Sequence, residues 1–184
     1  TVDNRGSENR GLEFENCTFR QLGTEEMKDQ MKGVELLKSL SYVDENRIGV
    51  HGWSFGGFNT LMSMSEGRPV FYAGVAVAPP TSWRYYDTVY TERFMRRPQV
   101  NDFGYEGTDL MKMAGDLTGE LLIVHGLADD NVHAQNTLLY TDALVKAGKQ
   151  FEMQLYVDDN HSIRKPANNK HLHQRIMLFL QNNL

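Results

Sequence analysis

The 184-residue chain carries a formal net charge of −5, with 40% hydrophobic and 23% charged residues. That balance suits a soluble globular domain with a real core, and it lacks the basic excess of a nucleic-acid binder. A single cysteine, Cys17, excludes an internal disulfide and leaves the redox compartment open, and no apolar run approaches the roughly 20 residues that span a bilayer.

Residues 1–11 are polar and glycine-bearing and read as a loop that follows a strand ending near Val2. From Thr24 to Leu40, Met27, Met31, Val34, Leu37 and Leu40 recur at helical spacing. Thr24 is the expected N-cap, with Glu25 and Glu26 at the positive end of the helix dipole. Arg47 to His51 reads as a strand, and Phe55 to Ser65 as the helix after it. Ala73 to Ala78 is a small apolar strand closed by Pro79-Pro80. The segment from Tyr85 to Gly115 breaks the alternation; its Tyr, Arg and Asp content suggests helices and loops over the top of the sheet. Leu121 to Val124 is a strand, Gln135 to Lys146 a helix, Phe151 to Val157 a strand, and Lys170 to Asn182 a terminal helix. Strand–helix alternation of this kind predicts a mostly parallel α/β sheet. Apolar runs at Ile48, Val75 and Ile123 predict strands covered on both faces.

The most informative stretch is Gly52-Trp53-Ser54-Phe55-Gly56, a Gly-x-Ser-x-Gly pattern between a strand and a helix. In that context the serine sits on a tight turn that lifts its hydroxyl above the sheet edge. Gly52 and Gly56 are expected to give room where a Cβ would clash. The first helical N–H groups point at the same spot.

Two further strand ends carry chemistry: Gly126-Leu127-Ala128-Asp129-Asp130-Asn131 and Asp158-Asp159-Asn160-His161-Ser162. Ligands of open parallel sheets bind at those carboxyl ends. The chain order Ser, Asp, His is that of the α/β-hydrolases. His161 can accept the Ser54 proton, and a carboxylate on the neighbouring loop can hold its tautomer. Asp129 is assigned that role and Asp130 a turn or capping role, although either could be a turn residue. Asp158 and Asp159 lie too near His161 along the chain to be the preferred partner. His125 reads as a satisfied strand-end histidine, His51 as packing under the turn, and His171 and His173 as solvated. No metal is expected, since a site needs several convergent ligands.

These motifs, with Asp3-Asn4-Arg5-Gly6-Ser7, the block Trp83-Arg84-Tyr85-Tyr86-Asp87-Thr88-Val89-Tyr90-Thr91-Glu92-Arg93 and the block His125-Gly126-Leu127-Ala128-Asp129-Asp130-Asn131-Val132-His133, resemble the catalytic domain of the prolyl oligopeptidase family of serine peptidases, nearest its dipeptidyl peptidase IV group. The resemblance implies Ser54 as nucleophile, Asp129 as orienting carboxylate and His161 as general base. It implies an oxyanion contact from the Phe55 backbone N–H. It also implies a proline-sized pocket from Trp83, Tyr86, Tyr90 and Val132, with Asn131 on a substrate carbonyl. A compact apolar ring suits aromatic walls. Core packing is the alternative for Tyr86 and Tyr90, which would share a helix face at i, i+4. Pro80 stands where relatives often carry a small aliphatic residue.

The expected fold is therefore the C-terminal part of an α/β-hydrolase domain spanning residues 1–184. Further strands, a second oxyanion donor and a propeller holding the substrate amine are implied upstream. The expected reaction is release of N-terminal dipeptides with Pro, or Ala, at the second position. Tripeptidyl or oligopeptidyl release, and a non-catalytic binding domain, are the competing readings. The resemblance also implies no cofactor, a homodimer for the longer protein and a periplasmic or secreted location.

Overall fold

The computed structural model describes residues 3–184, so the strand expected to end near Val2 lies outside the described residues. Four strands form one parallel sheet in the order β1-β2-β3-β4: β1 Gly49–Trp53, β2 Ala73–Val77, β3 Glu120–Gly126 and β4 Glu152–Tyr156. Each strand crosses over to its neighbour through helix. The helices in chain order are α1 Leu12–Asn16, α2 Thr24–Lys38, α3 Phe55–Met64, α4 Thr88–Met95, α5 Asp102–Glu106, α6 Leu110–Met113, α7 Gln135–Lys146 and α8 Pro166–Asn183. The segment between β2 and β3 is short helices and loops, as its composition predicts.

The sheet is covered on both faces, because alternate side chains leave a strand on opposite sides. Ala76, Leu121 and Ile123 meet Phe58, Leu61, Met62, Tyr140 and Leu144 of α3 and α7 on one face. Val75, Val77, Leu122 and Val124 meet Leu172, Ile176 and Phe179 of α8 on the other. All five residues of β2 are buried, which explains its run of small apolar residues. Phe58 is fully buried among these; truncating such a ring to alanine typically costs about 3–5 kcal/mol.

Several boundaries differ from expectation for local physical reasons. β1 runs to Trp53 rather than stopping at His51, because the chain stays extended until the turn at Ser54. The terminal helix begins at Pro166, four residues earlier than Lys170; proline at the first helical position has no N–H to lose. α1 was not foreseen; five residues are too few to show a period. The α2 cap is Gly23, at φ 90°, and not Thr24, which is already helical. Glu26, at the third helical position, reaches back to accept from the Gly23 N–H at 3.0 Å, the reciprocal half of a capping box.

Candidate active site

The turn after β1 is tight. Ser54 adopts φ 57° and ψ −120°, a conformation that non-glycine residues rarely hold. Its N–H donates to Val77 O at 2.8 Å and its carbonyl accepts from the Phe58 N–H at 3.0 Å, so the turn is pinned at both ends. A Cβ on Gly52 would sit 2.0 Å from Gly56 O. The second tight glycine is Gly57, where a Cβ would meet Val77 O at 2.9 Å; Gly56 itself has open space. The crowding is thus at 52 and 57 rather than at 52 and 56. Phe55 is the first residue of α3, so its N–H has no acceptor within the helix.

The loops after β3 and β4 are joined by backbone bonds. Leu127 N–H donates to Tyr156 O at 2.9 Å, and Ala128 N–H to Asp159 O at 3.0 Å. A Cβ on Gly126 would lie 2.3 Å from Asp159 O, so only glycine permits this approach. The join delivers His161 to Asp129. His161 Nδ1 lies 2.7 Å from Asp129 Oδ2, and the Asp129 side chain is wholly buried while the imidazole keeps some exposure. Asp129 Oδ1 accepts from the N–H groups of Asn131 at 2.9 Å and Val132 at 3.0 Å. The turn role and the orienting role therefore fall on the same carboxylate, one oxygen for each. Asp130, expected to take the turn, is exposed instead.

Burial alone would push the Asp129 carboxyl up. Hydrogen bonds from His125, His161 and the Asn131 N–H overcome it and hold the group well below the usual carboxylate range. It stays anionic, as a partner for an imidazolium must.

The turn and the imidazole are linked through the residue before the serine. Trp53 Nε1 donates to His161 O at 2.9 Å. The bond ties the His161 loop to the last residue of β1, the one that precedes Ser54 in the chain. Among the described residues, no hydrogen bond joins Ser54 to His161 directly. His125 is satisfied, as expected, by Val132 O at 2.8 Å and Thr137 Oγ1 at 2.7 Å. His171 is exposed yet bonded to the Tyr156 hydroxyl at 2.9 Å. His51 is exposed on the outer strand and does not pack under the turn.

Beside Ser54, a small cavity of about 70 Å³ is lined by Ser54, Phe55, Pro80, Trp83, Tyr86 and Tyr90. The rings pack on one another: Trp83–Tyr86 at 6.1 Å, Trp83–Tyr90 at 6.1 Å and Tyr86–Tyr90 at 5.3 Å between centroids. Tyr86 and Tyr90 meet, but not as an i, i+4 pair. Tyr86 is extended after a short 3₁₀ turn over Trp83–Tyr85, and α4 starts only at Thr88. Asp87 caps α4 by accepting from the Tyr90 N–H at 2.8 Å. Burial raises both phenols, Tyr90 to about 12, so the walls stay uncharged at neutral pH. Asn131 is exposed and accepts from the Tyr86 hydroxyl at 2.8 Å. Val132 is fully buried and is not among the lining residues. A larger cavity of about 460 Å³ shares Phe55 and Tyr90 with the small one and reaches Asn4, Glu26 and Arg93.

The sequence profile of the Prolyl oligopeptidase family matches residues 1–184. The chain belongs to that family. It is 40% identical over 187 residues to dipeptidyl peptidase 8 of Homo sapiens, covering 100% of this chain and 21% of that protein. It is 38% identical over 184 residues to dipeptidyl peptidase 4 of Bos taurus, covering 98% of this chain and 24% of that one. The crystal structure of Porphyromonas gingivalis dipeptidyl peptidase 4 superposes with a TM-score of 0.97 at 51% identity, covering 100% of this chain and 26% of that chain. The chain thus spans about a quarter of the length of these relatives.

Proposed function

We propose that the chain is the C-terminal part of a serine peptidase that releases N-terminal dipeptides bearing Pro, or Ala, in the second position. The reading rests most on the 2.7 Å contact between His161 Nδ1 and the anionic Asp129, held beside the strained Ser54 turn. In this reading Ser54 attacks the carbonyl carbon, and His161 takes its proton through Nε2. Asp129 stabilises the imidazolium through Nδ1. The Phe55 N–H donates to the tetrahedral oxygen. His161 then returns the proton to the leaving amine, and water repeats the sequence on the acyl-enzyme.

The small uncharged cavity supports a pyrrolidine ring beside the scissile bond, with Trp83, Tyr86 and Tyr90 as its walls. Asn131 takes a substrate carbonyl. Relatives named dipeptidyl peptidases favour two-residue release over the tripeptidyl alternative. The longer protein is read as a homodimer, to which α8 contributes through its exposed Met177 and Leu178. No helix among the described residues is long and apolar enough to cross a membrane.

The test compares this chain with the complete polypeptide on a glycyl-prolyl chromogenic substrate and with a fluorophosphonate label. The complete protein is expected to turn over and to label at Ser54. Ser54→Ala should lower kcat by about 10⁶-fold. The isolated chain should be weak or inactive, since losing one oxyanion donor alone costs about 10²–10³-fold. A folded complete protein that neither labels nor turns over would favour a non-catalytic binding domain. Activity that survives Ser54→Ala would mean another nucleophile.

A further inference from the structure

The surroundings of Asp129 contain one side chain that the proposed reaction leaves unused. His125 stands near the end of β3 with no solvent exposure. Its Nε2 lies 2.8 Å from Val132 O and 3.2 Å from Asp129 Oδ2. Both are acceptors, so Nε2 carries a hydrogen; it donates to Val132 O, and Asp129 Oδ2 lies beside the same N–H as a longer, charge-favoured contact. Nδ1 then faces the buried Thr137 hydroxyl at 2.7 Å, on the first turn of α7, and accepts from it. Its partners thereby set the tautomer.

A core histidine needs only the carbonyl and the hydroxyl to be satisfied. The third contact falls on Oδ2, the oxygen that His161 also uses, while Oδ1 is held by two backbone N–H groups. We infer that His125 is a positioning residue for the Asp129–His161 pair, locking the carboxylate plane and drawing negative charge from Oδ2, with Thr137 holding His125 in the required tautomer. The inference rests on the reading of Asp129 and His161 as orienting carboxylate and base. It adds a fixed donor that moderates how strongly Oδ2 favours a charged His161.

The other ionisable groups nearby do not compete for this oxygen. Tyr86 reaches toward the loop only through Asn131. Asp159 turns its carboxylate to the Lys165 N–H and the Asn168 amide.

The test uses the complete polypeptide, with kcat and KM measured on the glycyl-prolyl substrate across pH. His125→Asn reproduces the Nδ1 contact but falls short of Asp129. His125→Gln carries an amide nitrogen out to the Nε2 position. His125→Asn is expected to lower kcat by about 10- to 100-fold, the scale of a misplaced catalytic group or lost supporting contact, with KM nearly unchanged. Negative charge returns to Oδ2 in this variant, so the acid limb of kcat/KM should move to higher pH. His125→Gln should recover most of both, and Thr137→Val should move the limb the same way by less. A folded His125→Asn protein with kcat and acid limb unmoved overturns the inference. So does an equal loss in the Asn and Gln variants with the limb in place, which marks a structural role. If His125→Asn does not fold, an unmoved limb in folded Thr137→Val overturns it. Wild-type protein that neither labels nor turns over sinks the peptidase reading and this inference together; active, labelled protein with an unmoved limb sinks the inference alone.

Discussion

Asp129 and Glu26 are buried to nearly the same degree, 5% and 3% exposed, yet their carboxyls shift in opposite directions. Asp129 receives donors on both oxygens and is held anionic. Glu26 has only backbone donors, its own N–H and that of Gly23, and no imidazole or other side chain, so burial wins and lifts it to about 7. The two groups mark two halves of the site. Around Asp129, hydrogen bonds fix every group. Around Glu26 and the aromatic cavity, packing does the holding and polar contacts are few. Burial pushes both carboxyls toward the neutral form, and only the one with imidazole and backbone donors on its two oxygens overcomes it. Perturbing the bonded half should therefore damage chemistry, and perturbing the packed half should change binding and stability.

Asp129→Asn is the most severe break on the bonded side. The amide can keep its oxygen on the Asn131 and Val132 N–H groups. Its nitrogen then faces His161 and His125, which also present hydrogens there. His161 must switch tautomer and loses the lone pair that accepts the Ser54 proton. We expect kcat to fall by about 10⁴-fold, with the protein folded by circular dichroism. A loss under tenfold would mean that Asp129 is only a turn residue.

Trp53→Phe tests the tie between the end of β1 and the His161 loop, within the bonded half. It keeps the apolar ring and removes the bond from Nε1 to His161 O. A lost hydrogen bond of this kind lowers stability by about 1 kcal/mol. The loop it releases should reduce kcat about tenfold with little change in KM. Unchanged kcat with a lowered Tm would assign the bond to folding alone. Tyr86→Phe is milder still. It removes the hydroxyl that orients Asn131 and should raise KM about fivefold, equivalent to roughly 1 kcal/mol, leaving kcat nearly intact.

The same contrast explains what could be read from the sequence. The parallel sheet, the Ser–Asp–His order and the elbow were legible because each leaves a local mark: apolar runs, glycine spacing, an Asp-bearing strand end. The approach of the Asp and His loops was legible only as an expectation, since Gly126 and Asp159 meet across 33 positions of chain. Two misreadings came from assigning one duty to one residue. Asp129 serves both as turn residue and as imidazole partner, so the choice between Asp129 and Asp130 was false. Glu26, besides facing the helix dipole, accepts from the N–H of Gly23, the residue that takes the cap position in place of Thr24. The pocket position of Tyr86 follows from the resemblance, and the helical i, i+4 spacing to Tyr90 is absent because Tyr86 lies after the 3₁₀ turn and before α4. His125 was foreseen as satisfied; nothing in the sequence says that Asp129 helps satisfy it.

The smallest effect, and the one that isolates the packed half, is the pH dependence at Glu26. Its folded value of about 7 lies above the unfolded carboxylate value, so folding favours the protonated form. The stability this contributes is complete below about pH 4 and is lost as pH rises through 7. Asp129 has the opposite sign: its folded value is depressed, so its contribution holds at neutral pH and is lost in acid. Glu26→Gln keeps an oxygen for the Gly23 N–H and cannot ionise. Its Tm should match wild type near pH 4 and exceed it at pH 8, where the gain in unfolding free energy is bounded at about 3 kcal/mol. Turnover at pH 8 should be unaffected, because Glu26 touches none of the reacting groups. A Tm difference that is flat across this range would mean that Glu26 is ionised when folded, and the contrast between the two carboxylates would collapse.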